Sequence, residues 1–348
     1  MSQPGTVTIG RCQAQDVADV LAFIDAHWKK GHIFTVHRSL FDWQHALRDR
    51  PGEYSIAIAR RSGDRTVLGI LGYIPLRQFD PAIADNTVWL ALWKVREDAD
   101  SAGLGLRLLK YVTDHESHST LGVVGFNADV GPIYRALGFT TGELRHYVLP
   151  NPDVERFELA ALPGSRRLAI PDSTLSTAPL ETTSGEPVVK LNLGSRDAWS
   201  PTKTPEMFIA RYLRHPIYRY RCEIISRNGD PIGLLATRVA QHGSRSALRV
   251  IDYLGPHDAI PGLGALLFNH VRAAGAEYAD AYNWGIDPEL FERAGFLHVD
   301  PDGPDIVPDH FEPFEARNVR LRFAVKSSRP VVLFKGDGDQ DRPNQLPQ

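Results

Sequence analysis

Cysteine is almost missing from this chain. Cys12 and Cys222 are the only two in 348 residues, too few for a disulfide framework or a thiolate zinc site. That scarcity fits a reducing compartment, and a cytoplasmic protein is the expectation. No apolar run approaches the length of a membrane span, and the first ten residues lack the charged-then-apolar pattern of a secretory signal. An excess of one charge is also lacking, since 39 Lys and Arg face 42 Asp and Glu for a net charge of −3. This leaves no basic footprint for nucleic acid or an anionic membrane, so a small-molecule partner is expected.

What is present is the composition of a globular chain, 43% hydrophobic and 23% charged, and long enough for two domains with full cores. The most informative stretch runs from Trp89 to Phe139. Thr87 to Val95 is β-branched and aromatic with no Gly or Pro, which predicts a strand. After Gly103 and Gly105, Leu106, Leu108, Leu109 and Val112 recur at helical spacing. A strand that feeds a Gly-x-Gly turn into a helix leaves backbone N–H groups at the positive end of the helix, an anion cradle. The same pattern also makes an ordinary tight connection. Leu121 to Phe126 predicts a second strand, and Asn127 to Phe139 a short helix that carries Tyr134.

Upstream, Val7 to Ile9 reads as a strand and Asp16 to Ala26 as an amphipathic helix, with Val17, Val20, Leu21 and Ile24 on one face. Residues 26 to 45 are rich in His, Trp and Lys without metal-ligand spacing, and Ser39 reads as the cap of a helix whose Leu40 and Trp43 face the core. Tyr54 to Arg60 and Thr66 to Ile74 form a hairpin, and Glu143 to Leu149 is expected to close the same sheet. Residues 163–187 shift to Ser, Thr, Pro and Gly and read as a linker, with one strand at Arg167 to Ile170.

Beyond that linker the chain echoes itself. Phe208 to Pro216 repeats the proline-stopped helix of Trp43 to Pro51, and Arg221 to Arg227 with Ile232 to Val239 repeats the hairpin. Ala247 to Leu254 takes the place of the Trp-rich strand, and Pro261-Gly262-Leu263-Gly264 opens a helix with Leu266, Leu267 and Val271. Phe291-Glu-Arg-Ala-Gly295-Phe296 matches Tyr134-Arg-Ala-Leu-Gly138-Phe139 position for position. The tail adds strands at Asn318 to Val325 and Val331 to Lys335. It then spaces Asp337, Asp339 and Asp341 like the first ligands of a calcium loop, but with Arg342 and Gln348 where that loop needs Gly and Glu. No metal is expected. The tail reads as a solvated acidic terminus, or else its carboxylates face a cationic or polyhydroxylated substrate.

The spacings V-x(7)-G-x-G from Val95 and N-x(6)-Y-x(3)-G-F from Asn127 resemble the acetyl-CoA-binding motifs of the GNAT acyltransferase superfamily. The resemblance implies an α/β fold (mixed α+β) of two tandem GNAT-like modules, each a central mixed, mostly antiparallel sheet flanked by helices. Residues 1–162 would form the catalytic, acyl-CoA-binding module. Residues 188–348 would form a degenerate one, because Phe291 stands where the first copy has Tyr134. Acetyl-CoA or another acyl-CoA would lie against Trp93, Val95, Ser101, Gly103, Leu104, Gly105, Asn127 and Tyr134, with Tyr134 protonating the leaving thiolate. Glu97, His32 and Asp42 are the candidates for the base, unless the amine loses its proton through ordered water, and His32, Phe41, Asp42 and Trp43 are the candidates for the acceptor wall. One departure stands out: Asp100 sits where the family usually has Gln or Arg. The His-Trp-Lys-rich segment, the second module and the ending Phe334 to Asn344 resemble GNAT-type proteins of bacterial surface-polysaccharide synthesis. They imply an amine acceptor on an amino sugar, nucleotide-linked. An amino acid, peptide or antibiotic as acceptor is the alternative, as is a non-catalytic CoA-binding scaffold.

Overall fold

The computed structural model describes residues 6–98, 102–163, 172–180, 182–183, 186–187 and 199–344. The strand expected at Arg167 to Ile170, and both Asp100 and Ser101, lie outside the described residues.

Two sheets organise the chain. The first half runs β1 (Val7–Gln13), α1 (Val17–Phe23), α2 (Ile33–Val36), α3 (Arg38–His45), β2 (Glu53–Arg61), β3 (Val67–Pro75), β4 (Thr87–Val95), α4 (Leu104–His115), β5 (Thr120–Val124), α5 (Gly131–Ala136), β6 (Thr140–Glu143) and β7 (Arg145–Pro150). Then come β8 (Leu175–Pro179), the short β9 (Thr182–Thr183) and β10 (Glu186–Pro187), α6 (Pro205–Phe208), β11 (Arg221–Arg227), β12 (Asp230–His242) and β13 (Arg245–Leu254). The chain ends with α7 (Ile260–Ala273), β14 (Tyr278–Trp284), α8 (Pro288–Arg293), β15 (Leu297–Val299), β16 (Arg322–Ser327) and β17 (Leu333–Phe334).

The strand orders are β1-β2-β3-β4-β5-β16-β6 and β8-β11-β12-β13-β14-β7-β15. In each, the fourth and fifth strands pair in parallel and the other pairs on these paths are antiparallel. Both halves also carry a π-helical turn after their first helix, at Ile24–Trp28 and Ile209–Leu213. The fold is therefore α/β with two like-ordered mixed sheets, as the repeat predicts.

The sixth strand of each sheet comes from the other half. Glu143 to Leu149 does not form one strand closing the first sheet. The chain turns at Leu144, whose N–H bonds to the Leu321 carbonyl, and β7 crosses to pair with β14 while β16 returns from the tail to pair with β5 and β6. The reason lies in burial: Tyr147, Val148 and Leu149 are all buried, so β7 needs cover on both faces, which the second sheet supplies. Likewise β8, within the Ser/Pro-rich stretch, edges the second sheet by pairing with β11.

Local patterns explain the individual elements. All of β3 is buried, consistent with its unbroken apolar sequence at the centre of a sheet. On α4, Leu104, Leu108, Leu109 and Val112 form the buried stripe, whereas Leu106 is 46% exposed and turned to solvent. A shared core joins the halves, with Trp89, Val124 and Phe323 on one side and Phe208, Tyr212, Ile251 and Tyr282 on the other. No helix among the described residues is long and apolar enough to cross a membrane.

Candidate active site

The parallel strands β4 and β5 pair over three rungs only, Thr87 with Thr120, Val88 with Leu121 and Trp89 with Gly122. Gly122 admits the Trp89 ring, since a Cβ there would lie 2.5 Å from it. Past that rung β4 continues to Val95, and no strand among the described residues pairs with it on the β5 side. A fork opens, with free backbone N–H and C=O groups along one prong.

The mouth of the fork faces the start of α4. Gly103 caps this helix at φ +75°, and no described residue beyond its chain neighbours lies within 4 Å of where its Cβ would stand. The first N–H groups of α4 have no partner inside the helix and form the positive end of its dipole. A Cβ on Gly105 would lie 3.2 Å from Trp93 Nε1, so the indole covers the first turn. Val95 packs beside Gly69, and Leu104 is buried beneath.

Tyr134 on α5 completes this side. It is buried against Phe126 and Phe139, both at 5.2 Å, and its ring meets Trp93 at 6.0 Å. Its hydroxyl has no hydrogen-bond partner among the described residues, and burial alone pushes its pKa well above the ordinary phenol value. The phenol therefore stays protonated. Asn127 is exposed, and its carbonyl accepts from the Val130 N–H to start the turn that carries Tyr134. The structure thus brings Trp93, Gly103, Gly105 and Tyr134 to one place.

Other predicted site residues lie elsewhere. Glu97 is exposed and pairs with Lys94 at 3.1 Å. His32 is fully buried, its Nδ1 accepting from the Phe34 N–H while Nε2 has no partner. Burial, with help from the Arg342 and Lys29 charges, pushes His32 down to about 3, so it is neutral at ordinary pH. Phe41 stacks on Tyr54 at 5.5 Å, and Asp42 accepts from Arg38 at 2.8 Å and from the Tyr54 hydroxyl at 2.9 Å. Trp43 bridges the halves, against Phe79 and His215, with its N–H toward the Ala210 carbonyl at 3.4 Å. Helix α3 begins at Arg38 with His37 at its cap, so Ser39 caps nothing.

The tail is not solvated, contrary to the acidic-terminus reading. Lys335, Asp337, Asp341 and Arg342 are all buried. β17 pairs with β14 at Asn283 and Trp284, and the Gly336 N–H donates to the Ile251 carbonyl of β13 at 2.8 Å. The parallel pairing of β13 and β14 stops at Val250 with Ala281, so this segment fills the fork of the second sheet. Lys203 then bridges Asp252 at 2.6 Å and Asp337 at 2.9 Å, and Tyr220 donates to Asp341 at 2.5 Å. Further on, Gln340 presses on Gly125, Arg342 donates to Gln44 at 2.7 Å, and Asn344 accepts from the Ile33 N–H at 2.8 Å. Sequence reasoning missed this because the partners are remote: Lys203, Tyr220, and Arg211, which donates to the Gly336 carbonyl at 2.7 Å. The only local signal was the run of Asp among glycines.

No family model and no curated protein matches the chain. Solved structures do. A GCN5-related N-acetyltransferase from Anabaena variabilis superposes with a TM-score of 0.55 at 11% identity, over 92% of this chain and 72% of that one. The fold is the GNAT fold. N-myristoyltransferase from Saccharomyces cerevisiae, solved with bound myristoyl-CoA and inhibitors, gives a TM-score of 0.50 at 13% identity, over 99% of this chain and 88% of that one. The GNAT fold thus extends over both halves of the chain, and the open fork and the plugged one occupy equivalent places in two like-ordered sheets.

Proposed function

We propose that the chain is an acyl-CoA-dependent N-acyltransferase that moves an acetyl or other short acyl group to the amine of a small polar acceptor, an amino sugar in nucleotide-linked form. The observation that carries this reading is the open fork of the first sheet with Tyr134 beside it, against a second fork filled by the chain's own tail. Residues 1–162 would do the chemistry. Residues 188–348 would not, in keeping with Phe291 stacking on Tyr147 at 4.3 Å.

The free edge of β4 from Leu90 to Val95 would hold the pantetheine arm by strand-like hydrogen bonds and turn one N–H to the thioester oxygen. The first N–H groups of α4 would take the pyrophosphate, where the bare Gly103 leaves room. The acceptor nitrogen attacks the acyl carbon, the C–S bond breaks with its electron pair on sulfur, and Tyr134 supplies the proton. Burial makes Tyr134 a weaker acid than a free phenol, so proximity to sulfur has to offset the unfavourable transfer. None of the three base candidates is well suited: His32 is held near 3, Glu97 is committed to Lys94 at the surface, and Asp42 to Arg38 and the Tyr54 hydroxyl. The amine would lose its proton through water.

The test is calorimetry with acetyl-CoA, followed by thiol release in the presence of amino-sugar nucleotides. Acetyl-CoA binding with acceptor-dependent release is expected. Binding without release from any amine would make the chain a CoA-binding scaffold, and no binding would end both readings.

A further inference from the structure

A cavity of about 200 Å3 lies between the tail and the second half, lined among others by Lys29, Arg238, Glu312, Asp339, Gln340 and Arg342. Most of its charges are already matched. Asp309 is held by Lys335 and by Arg249 at 3.0 Å, Asp341 by Tyr220, and Arg342 by Gln44 with Asp339 at 3.5 Å.

Arg238 is the exception. It is only 9% exposed, yet it makes no hydrogen bond or ion pair among the described residues, and its Nε is buried without a partner. Its one contact of note is the Tyr218 ring beneath it at 5.0 Å. A buried guanidinium left unpaired is costly, and its planar donors fit a carboxylate or phosphate. Lys29 and Glu312, on the same cavity, likewise have no ion pair among the described residues. Two cations and one carboxylate with no ion pair among the described residues thus face one space, where Arg238 is the leading charge acting on Glu312.

We infer that this cavity is the acceptor subsite, with Arg238 and Lys29 binding an anionic group of the acceptor and Glu312 drawing its ammonium end. This rests on the acyltransferase reading, and it narrows the substrate to an amine that also carries a carboxylate or phosphate. A short run of packed residues links the cavity wall to the Tyr134 side of the fork. Gln340 lines the cavity and touches Gly125 at the end of β5, and the next residue, Phe126, packs on Tyr134 at 5.2 Å.

The experiment titrates the full chain with glucosamine, glucosamine 6-phosphate and β-alanine, with acetyl-CoA titrated separately. One of the two anionic amines should bind at least about tenfold more tightly than glucosamine, a gap of about 1.4 kcal/mol. Which one binds tells phosphate from carboxylate. Arg238→Met should abolish that preference, Arg238→Lys should restore part of it, and acetyl-CoA affinity should not move. Glu312→Gln should keep binding of inorganic phosphate or acetate while losing the advantage conferred by the amine. No anionic preference in the wild type, or a preference that survives Arg238→Met in protein that melts normally, overturns the inference. If acetyl-CoA fails to bind but the Arg238-dependent preference persists, the acyltransferase reading falls and the anion subsite stands.

Discussion

The backbone N–H of Gly336 donates to the carbonyl of Ile251 at 2.8 Å, which sets the tail into the gap between β13 and β14. The equivalent gap between β4 and β5 has no such occupant among the described residues along Leu90 to Val95. Two like-ordered sheets therefore differ in whether the fork is open or filled. The tail that closes one fork also walls a cavity, and its Gln340 reaches Gly125 just past β5.

Tyr134→Phe should lower turnover by about 100-fold or more, the usual contribution of a general acid. Acetyl-CoA affinity should stay at the wild-type value, since the ring and its contacts with Phe126 and Phe139 remain. Steady-state thiol release together with calorimetry reads both, and undiminished turnover would remove the acid role.

Gly103→Ala forces a side chain into the left-handed region at φ +75°, a strain of about 1–2 kcal/mol. Gly52→Ala, at φ +88° with equally open space, is the control. Both variants should unfold earlier in urea by similar amounts, but only Gly103→Ala should weaken acetyl-CoA binding. Equal affinities in the two variants would argue against the α4 cradle.

Lys203→Met leaves Asp252 and Asp337 buried side by side without their cation. Breaking a buried pair from one side costs about 3–5 kcal/mol, so the urea midpoint should drop sharply. A midpoint near the wild-type value would mean that the tail is not held by this lysine.

Acid should destabilise the protein already between pH 7 and 5. Burial pushes His32, His45 and His215 each down to about 3. Between that value and the unfolded value of about 6.5 the unfolded chain binds more protons, so stability falls as pH drops through this window. Asp337, raised to about 6 by burial, acts in the opposite direction between its unfolded value and 6. Three groups outweigh one, and from pH 7 to 5 the loss should be on the order of a few kcal/mol. His45→Gln should flatten the slope in urea titrations across that range, and an unchanged slope would count against this account.

Much of the fold was legible because its signals are local. The run Thr87 to Val95 lies along β4 residue for residue, and the helical spacing of Leu108, Leu109 and Val112 gives α4 its buried stripe. The echo of Tyr134 to Phe139 in Phe291 to Phe296 anticipated two sheets of one order. Trp93, Gly105 and Tyr134 could be grouped in advance because β4, the glycine turn into α4, β5 and α5 follow one another along the chain. Phe41, Asp42 and Trp43 could not be sorted, since whether an aromatic faces a pocket or a neighbouring helix depends on what packs against it. Here Tyr54, Phe79 and His215 decide that.

The sequence by itself determined the hairpins, β4, their repeat and the glycine-opened helix after β4, since propensity and periodicity act within a few residues. Only the tertiary structure decided which half lends β7 and β16 to the other, that the Asp-rich tail is buried, and that one fork is closed. Those outcomes depend on partners such as Ile251, Lys203 and Tyr220, more than a hundred residues before Asp341 or across the sheet from Gly336. A buried charge finds its match only once the chain has brought such residues together.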